Sequence, residues 1–174
     1  ESCGRRLRSL YDAWSDAKTA AFFNGAECVL LGSGANKEEE LRYLKAVSLE
    51  IWLFSYELPD TVMAFVKKDG DDANEMHAIA SGKKAKLLES ARETIESSIK
   101  GKLTVHVKPK NEDGSAQVEA LVKILQEKCA KVGACAKELK EGNMMQMAVE
   151  KLGGAEKLAD VTSGIACVLS RKDE

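Results

Sequence analysis

The residues whose types and spacing most resemble a ligand-binding motif form a glycine-rich loop that follows a short apolar segment. It reads Gly32-Ser33-Gly34-Ala35-Asn36-Lys37. The dinucleotide-binding fingerprint needs a third glycine where Lys37 stands, because helix and strand must pack closely there. The next residues, Glu38 to Glu40, would also place three carboxylates where a phosphate would bind. The loop therefore predicts a structural turn and no nucleotide cofactor.

The histidines and cysteines do not form a pattern typical of a metal or catalytic site. His77 and His106 each fall inside a predicted strand, without a second ligand at metal-binding spacing. We expect them to point to the open side of the sheet or to be satisfied core residues. Cys129 or Cys135 would need a base and an orienting group to act as a nucleophile, and sequence spacing supplies neither. We therefore predict no catalytic residue, no metal and no cofactor.

Composition indicates one soluble globular domain over residues 1–174, with 44% hydrophobic and 31% charged residues. We expect no membrane span, because no apolar run approaches the roughly 18 residues required. Five cysteines without CxxC spacing favour a reducing compartment.

The charge pattern bears on the choice of partner. A net charge of −2 lacks the basic footprint of a DNA-binding protein, so no direct specific DNA binding is predicted. The acidic run Glu38 to Glu40 and the cluster Asp69, Asp71 and Asp72 have two interpretations. They are a solvated helix start and turn, or they attract a basic partner.

Hydrophobic periodicity predicts alternating helices and strands. Helices are expected at about 5–17, 36–56, 82–100 and 144–152, with another opening at a capping Ser115. Strands are expected at 27–31, 61–66, 75–80, 103–107 and, in part, 133–139, with a short strand and a helix in 158–168. This order predicts a layered α/β/α fold, and a hairpin of the second and third strands makes its central sheet mixed.

Two motifs carry a resemblance to a known family. The first lies in residues 42–65 and comprises Tyr43, Lys45, Trp52, Leu53, Tyr56, Glu57, Leu58, Asp60 and Thr61. The second is the opening 5–14, RRLRSLYDAW, which has an Arg-x-x-x-Leu-Tyr-x-x-Trp pattern. In order and spacing these segments resemble the amino-terminal lobe of the large subunit of the FACT histone chaperone.

That resemblance implies a fold related to the amino-terminal domain of creatinase, prolidase and aminopeptidase P. It implies one lobe that ends near the junction to a pita-bread lobe, which is catalytically dead in this family. The implied function is non-catalytic: binding of core histones during nucleosome reorganisation in transcription, replication and repair, in the nucleus and on chromosomes. The implied partners also include the HMG-box-containing FACT small subunit, through other domains of the full protein, and replication or transcription proteins.

Four residues in the first motif are candidates for contact with a protein partner: Tyr43, Lys45, Glu57 and Asp60. The alternative interpretation of Tyr43 and Lys45 is a helix-surface pair beside the core, and we expect Trp52 and Tyr56 to pack in the core. The family usually has small hydroxyl residues after the Tyr-x-Lys pair, where Ala46 and Val47 stand here.

Two alternative functions remain open from the sequence. The first is the substrate-shaping lobe of an active metal-dependent aminopeptidase or prolidase. The second is a docking lobe for replication or transcription proteins, with histones contacted mainly by other domains.

Overall fold

The computed structural model describes residues 2–34, 44–69 and 73–171. Its helices are α1 (Ser2–Ser15), α2 (Lys45–Phe54), α3 (Gly82–Ser90), α4 (Arg92–Ile99), α5 (Ser115–Lys128), α6 (Asn143–Lys151) and α7 (Thr162–Leu169). Short 3₁₀ turns lie at Ala20–Phe23 and Ala155–Lys157. Its strands are β1 (Cys28–Ser33), β2 (Thr61–Val66), β3 (Asn74–Ser81), β4 (Gly101–Lys108), β5 (Val132–Ala134) and β6 (Ala159–Asp160).

The strands form one mixed sheet in the order β4-β3-β2-β1-β5-β6. β2 runs antiparallel to both of its neighbours, and the other neighbouring pairs are parallel. The carboxyl ends of five strands and the amino end of β2 therefore meet at one edge, which we call the carboxyl edge. The predicted hairpin and mixed sheet are confirmed.

Helices cover the sheet on both faces. On one face α1, α2, α3, α4 and α7 enclose a core that includes Leu7, Leu10, Leu49, Leu88 and Ile165. On the other face α5 and α6 enclose a second core with Leu121, Leu125 and Met145. Apolar side chains on both faces explain why β1 and β2 are buried along their whole length. The predicted α/β/α layering is confirmed.

Gly32, the first residue of the glycine-rich segment, is required for packing between β1 and α6. A Cβ on Gly32 would lie 2.6 Å from the Cβ of Met145, so only glycine allows α6 to approach β1 this closely. Gly32 and Ser33 belong to β1, so the predicted turn does not begin at Gly32. Residues 35–43, which include the rest of the loop and the acidic run, lie outside the described residues.

Three predictions about helix boundaries are wrong. The helix expected over 36–56 is interrupted at Leu44, which is extended with a φ of −66° and a ψ of 139°, and α2 runs only from Lys45 to Phe54. The helix expected over 82–100 is two helices that break at Ala91, where φ is −98° and ψ is 2°. The Arg92 guanidinium stabilises the break, because it bonds Glu89 before it and Glu96 after it. Ser115 is the first helical residue of α5 and not its cap, since Gly114, with a φ of 81°, occupies the capping position.

Candidate functional site at the carboxyl edge of the sheet

Three of the four candidate residues lie in connections at the carboxyl edge. Lys45 opens α2, and Glu57 and Asp60 belong to the loop 55–60 that joins α2 to β2. The fourth, Tyr43, lies outside the described residues. Binding sites of α/β proteins form beyond the carboxyl ends of the strands, because loops converge there on a rigid support. Lys45, Glu57 and Asp60 therefore lie on the side of the sheet where α/β folds usually carry their ligand sites.

A buried carboxyl group, that of Glu50 on α2, anchors the loop 55–60 through a hydrogen bond to its backbone. Its side chain is 3% exposed. Its Oε2 accepts a hydrogen bond from the N–H of Leu58 at 3.2 Å, and its Oε1 lies 3.1 Å from Ser33 Oγ. The Ser33 hydroxyl is closest to the carbonyl oxygen of Leu58, at 2.7 Å. Glu50 and Ser33 together thus hold both backbone polar groups of Leu58.

A count of protons indicates that Glu50 is protonated in much of the folded population near neutral pH. The single hydroxyl proton of Ser33 goes to the nearer oxygen of Leu58, so the contact with Glu50 is a hydrogen bond only if the carboxyl group donates. Burial raises the pKa of Glu50 to about 7, although the N–H of Leu58 and the charge of Lys84 favour the carboxylate.

Asp60 ends the loop in a fixed position. Its φ is 53°, in the left-handed region that aspartate tolerates better than most residues. Its N–H donates to the carbonyl of Gly34 at 3.0 Å, and its Oδ2 lies 3.0 Å from Lys108 Nζ on β4. Lys84 of α3 donates to the carbonyl of Pro59. Contacts from Gly34, just after β1, from β4 and from α3 therefore hold this end of the loop.

Lys45 is positioned by a different carboxylate, Glu138, from the connection between β5 and α6. Glu138 accepts hydrogen bonds from the backbone N–H groups of Lys45 and Ala46, each at 3.0 Å. It caps the amino terminus of α2, which has no capping side chain of its own. Ala46 and Val47 are buried, so they contribute to packing at the start of α2. Lys45 and Asp60 share an edge of the sheet but are held by different partners.

The two aromatic residues of the motif have different environments. Trp52 is half-buried beneath Arg6, whose guanidinium carbon lies 5.7 Å from the ring centroid and whose Nη1 donates to the Trp52 carbonyl at 2.6 Å. Tyr56 is 59% exposed, so the prediction that it packs in the core is wrong. The reason is that α2 ends at Phe54 and Ser55 turns the chain with a φ of 64°.

Beside Tyr56 lies a small apolar cavity of about 130 Å³, whose lining includes Phe54, Leu58 and Leu87. The exposed Glu57 follows Tyr56 in the chain. An exposed aromatic ring and an exposed carboxylate each attract cationic side chains. We call Tyr56 and Glu57 the loop pair.

Sequence reasoning missed the residues that support the site. Glu50 carried a usable signal, since it is a lone charge within an apolar stretch of α2 and ionisable residues are rarely buried without a partner. Glu138 carried no such signal, because its partners in α2 are 92 and 93 residues away.

The two histidines lie next to each other on neighbouring strands, β3 and β4. His77 is buried with its Nε2 3.3 Å from Glu75 Oε1, and its Nδ1 lies 3.5 Å from His106 Nε2. Burial lowers the pKa of both imidazoles. Within residues 2–34, 44–69 and 73–171, no three His, Cys, Asp or Glu side chains cluster so that they could bind a metal ion. In the same ranges no helix has the length and apolar character to cross a bilayer.

Comparison with known proteins identifies the family. Residues 1–164 match the model of the FACT complex subunit SPT16 N-terminal lobe domain. FACT complex subunit SPT16 of Arabidopsis thaliana is 32% identical over 177 residues, which cover 97% of this chain and 16% of that protein. The Zea mays protein of the same name is 32% identical over 178 residues, covering 99% of this chain and 16% of its own length. The chain thus spans about a sixth of the length of these relatives.

Solved structures agree with the sequence match. The N-terminal domain of FACT complex subunit SPT16 from Cicer arietinum superposes with a TM-score of 0.85 at 29% identity, covering 99% of this chain and 38% of that one. The corresponding domain from Eremothecium gossypii has a TM-score of 0.74 at 24% identity, with the same coverage, and supports the fold alone. The predicted peptidase-like fold is confirmed. The chain belongs to the family of the FACT complex subunit SPT16 N-terminal lobe domain.

Proposed function

We propose that this chain is a non-catalytic, histone-binding lobe of a chaperone that reorganises nucleosomes in transcription, replication and repair. Membership of the SPT16 family supports the proposal, since the relatives are named as subunits of the FACT complex. The proposed setting is chromatin in the nucleus. We also propose that residues 1–174 form one lobe, followed in the longer protein by a pita-bread lobe.

The observation that carries the proposal is the loop pair on a rigid support. Tyr56 and Glu57 are exposed, while the next residue, Leu58, is buried and bonded through both backbone polar groups to Glu50 and Ser33. A partner that binds the pair therefore does not have to order the whole loop, which lowers the entropic cost of association. Core histones and their tails are rich in lysine and arginine, the side chains that an aromatic ring and a carboxylate attract.

Lys45 and Asp60 extend this surface along the carboxyl edge, and we assign them secondary contacts. The Asp60 side chain is 41% exposed although it is paired with Lys108, so a cationic partner would compete with that lysine. The small FACT subunit is proposed as a partner through other domains of the longer protein. Proteins of replication or transcription are further proposed partners.

The proposal is tested by titrating the chain with each core histone dimer and with tail peptides at low and physiological salt. A Tyr56→Ala/Glu57→Gln variant should bind about tenfold more weakly, because a cation–π contact and an exposed charge pair contribute roughly 0.5–1 kcal/mol each. Glu119→Gln, which removes an exposed carboxylate from α5 on the opposite face, is the matched control and should bind as the unmodified chain does. Equal affinities for all three chains, or no binding at low salt, would contradict the proposal.

A further inference from the structure

One side of the sheet ends in a strand that is open to solvent. β4 (Gly101–Lys108) is the outermost strand there, and its one partner in the part of the chain that the structure describes is β3, along all eight residues. Val107 is 50% exposed, and the side chain of Lys102 is 79% exposed. An edge strand of this length presents a row of backbone N–H and C=O groups to any chain that approaches it.

A contact from Arg92 indicates which backbone groups of β4 face outward. Its guanidinium, on α4, donates to the carbonyl of Leu103, so this carbonyl points away from β3. The backbone groups of alternate residues point to the same side of a strand, so those of Val105 and Val107 share the outward direction. Among the described residues, none outside the sheet forms a backbone hydrogen bond with these two valines. Two N–H donors and two C=O acceptors are therefore available to an added strand.

The same side of the molecule is basic. Residues 82–110, which comprise α3, α4, β4 and the two residues after it, carry eight lysine or arginine side chains against three glutamates, whereas the whole chain has a net charge of −2. Lys102 has only a distant counter-ion, with its Nζ 3.9 Å from Glu96 Oε2. Lys108 Nζ lies 3.0 Å from Asp60 Oδ2, which is itself partly exposed. Charge complementarity at this edge thus favours an acidic partner.

The two faces of β4 specify what should alternate along such a partner. Leu103 is buried in the core that includes α1 and α4, Val105 packs against that core, and Val107 continues the same face outward. Lys102 and Lys108 lie on the opposite face of the strand. Side chains on neighbouring strands meet on the same face of a sheet, so a matching segment carries apolar residues on one face and carboxylates on the other.

We propose that β4 docks an extended acidic segment of a partner protein, which adds to the sheet as a further strand and alternates carboxylate with apolar side chains. Main-chain hydrogen bonds to Val105 and Val107 hold the segment, and its carboxylates pair with Lys102 and compete with Asp60 for Lys108. The site attracts the opposite charge to that attracted by the loop pair, so it is independent of the proposed histone contact.

A second copy of this chain fits the edge less well than an acidic segment does. Antiparallel pairing of two β4 strands about Val105 would bring Lys102 of one copy opposite Lys108 of the other. Like charges directly opposite each other destabilise a strand pair, and lysines on an edge strand are a common protection against self-association.

The test uses an eight-residue peptide in which Glu and Val alternate, matched to the length of β4. Its binding to the folded chain is measured by calorimetry, and the protected amides are located by hydrogen exchange. We expect binding that weakens as the salt concentration rises, with slower exchange at Val105 and Val107. A peptide with Lys in place of each Glu is the matched control and should bind at least about tenfold more weakly.

N-methylation of the acidic peptide tests the backbone contact without any change in the chain. Methylation of one set of alternate amides should abolish binding, whereas methylation of the other set should be tolerated, because only one set faces β4. In the chain, Val107→Pro removes an outward N–H that an edge strand can lose, and it should weaken binding at least about fivefold. Val107→Thr keeps the N–H and the β-branched shape and is the control.

Several results would overturn the proposal. They are absence of binding, equal binding of the acidic and basic peptides, and equal effects of the two methylation patterns. A dimer of the chain that sedimentation detects and that Val107→Pro dissociates would overturn it as well, because the occupant of β4 would then be a second copy.

Discussion

The Glu50 carboxyl group makes the stability of the chain depend on pH in a direction that one substitution can test. Its pKa is raised from 4.5 to about 7 in the folded chain, chiefly by burial. A raised carboxyl pKa means that the folded state binds the proton more tightly than the unfolded state does. The stability from this group is therefore fully present below pH 4.5, and it is lost as the pH rises through about 7.

The size of this effect on the free energy of unfolding follows from the difference between the two pKa values. At about 1.36 kcal/mol per pKa unit, the change from 4.5 to about 7 corresponds to about 3 kcal/mol, most of which is lost between pH 5 and pH 9. Glu50→Gln removes the titration and keeps the contacts, because its amide can donate to Ser33 and accept from Leu58. We expect the variant to gain roughly 2–3 kcal/mol in free energy of unfolding, relative to the unmodified chain, between pH 5 and pH 9.

The assay is urea denaturation from pH 5 to pH 9, followed by tryptophan fluorescence and circular dichroism. Glu119→Gln, which removes an exposed carboxylate, corrects for the loss of one negative charge. If the unfolding free energies of the unmodified chain and Glu50→Gln run parallel across this pH range, Glu50 does not titrate as the structure requires.

Three further substitutions test the supporting contacts by urea denaturation. Glu138→Gln leaves one carbonyl oxygen for the two N–H donors of α2 and should lower the free energy of unfolding by about 1 kcal/mol. Unchanged stability would contradict the capping role of Glu138. Tyr11→Phe removes the hydroxyl that donates to the Glu75 carbonyl at 2.9 Å, with the Val66 carbonyl at 3.3 Å, and should also cost about 1 kcal/mol. A neutral result would mean that this hydrogen bond contributes nothing to stability. Gly101→Ala forces a Cβ into the backbone of β3 and should lower the free energy of unfolding by ~2 kcal/mol or more. Gly82→Ala is the control, because a Cβ there meets open space. Equal effects of the two substitutions would refute the packing argument.

The sequence predicted most successfully what depends on local periodicity. β2 begins and ends at the expected residues, Thr61 and Val66, because a β-rich run is bounded by Pro59-Asp60 and by a charged turn. The apolar stripe of α1 was visible in the same way, since Leu7, Leu10 and Trp14 repeat at helical spacing and are buried. Such patterns depend on neighbours in sequence, so one sequence is enough to recognise them.

Features that depend on tertiary contacts were not predictable. The exposure of Tyr56 follows from a left-handed Ser55, which continued helical periodicity does not anticipate. The break at Ala91 depends on a guanidinium that reaches two glutamates and the carbonyl of Leu103 on β4, and no glycine or proline marks it. Of the candidate site, the sequence located the loop that carries Glu57 and Asp60 but not Glu50 or Glu138, because spacing does not reveal which side chains meet in the folded chain.

The most direct test of the account is hydrogen–deuterium exchange of the chain with and without core histones. The account predicts slower exchange on binding in the loop 55–60 and the first turn of α2, with no change in α5 on the opposite face. Protection confined to α5 and α6, or exchange that histones leave unchanged throughout the chain, would contradict the claim that the carboxyl edge is the binding surface.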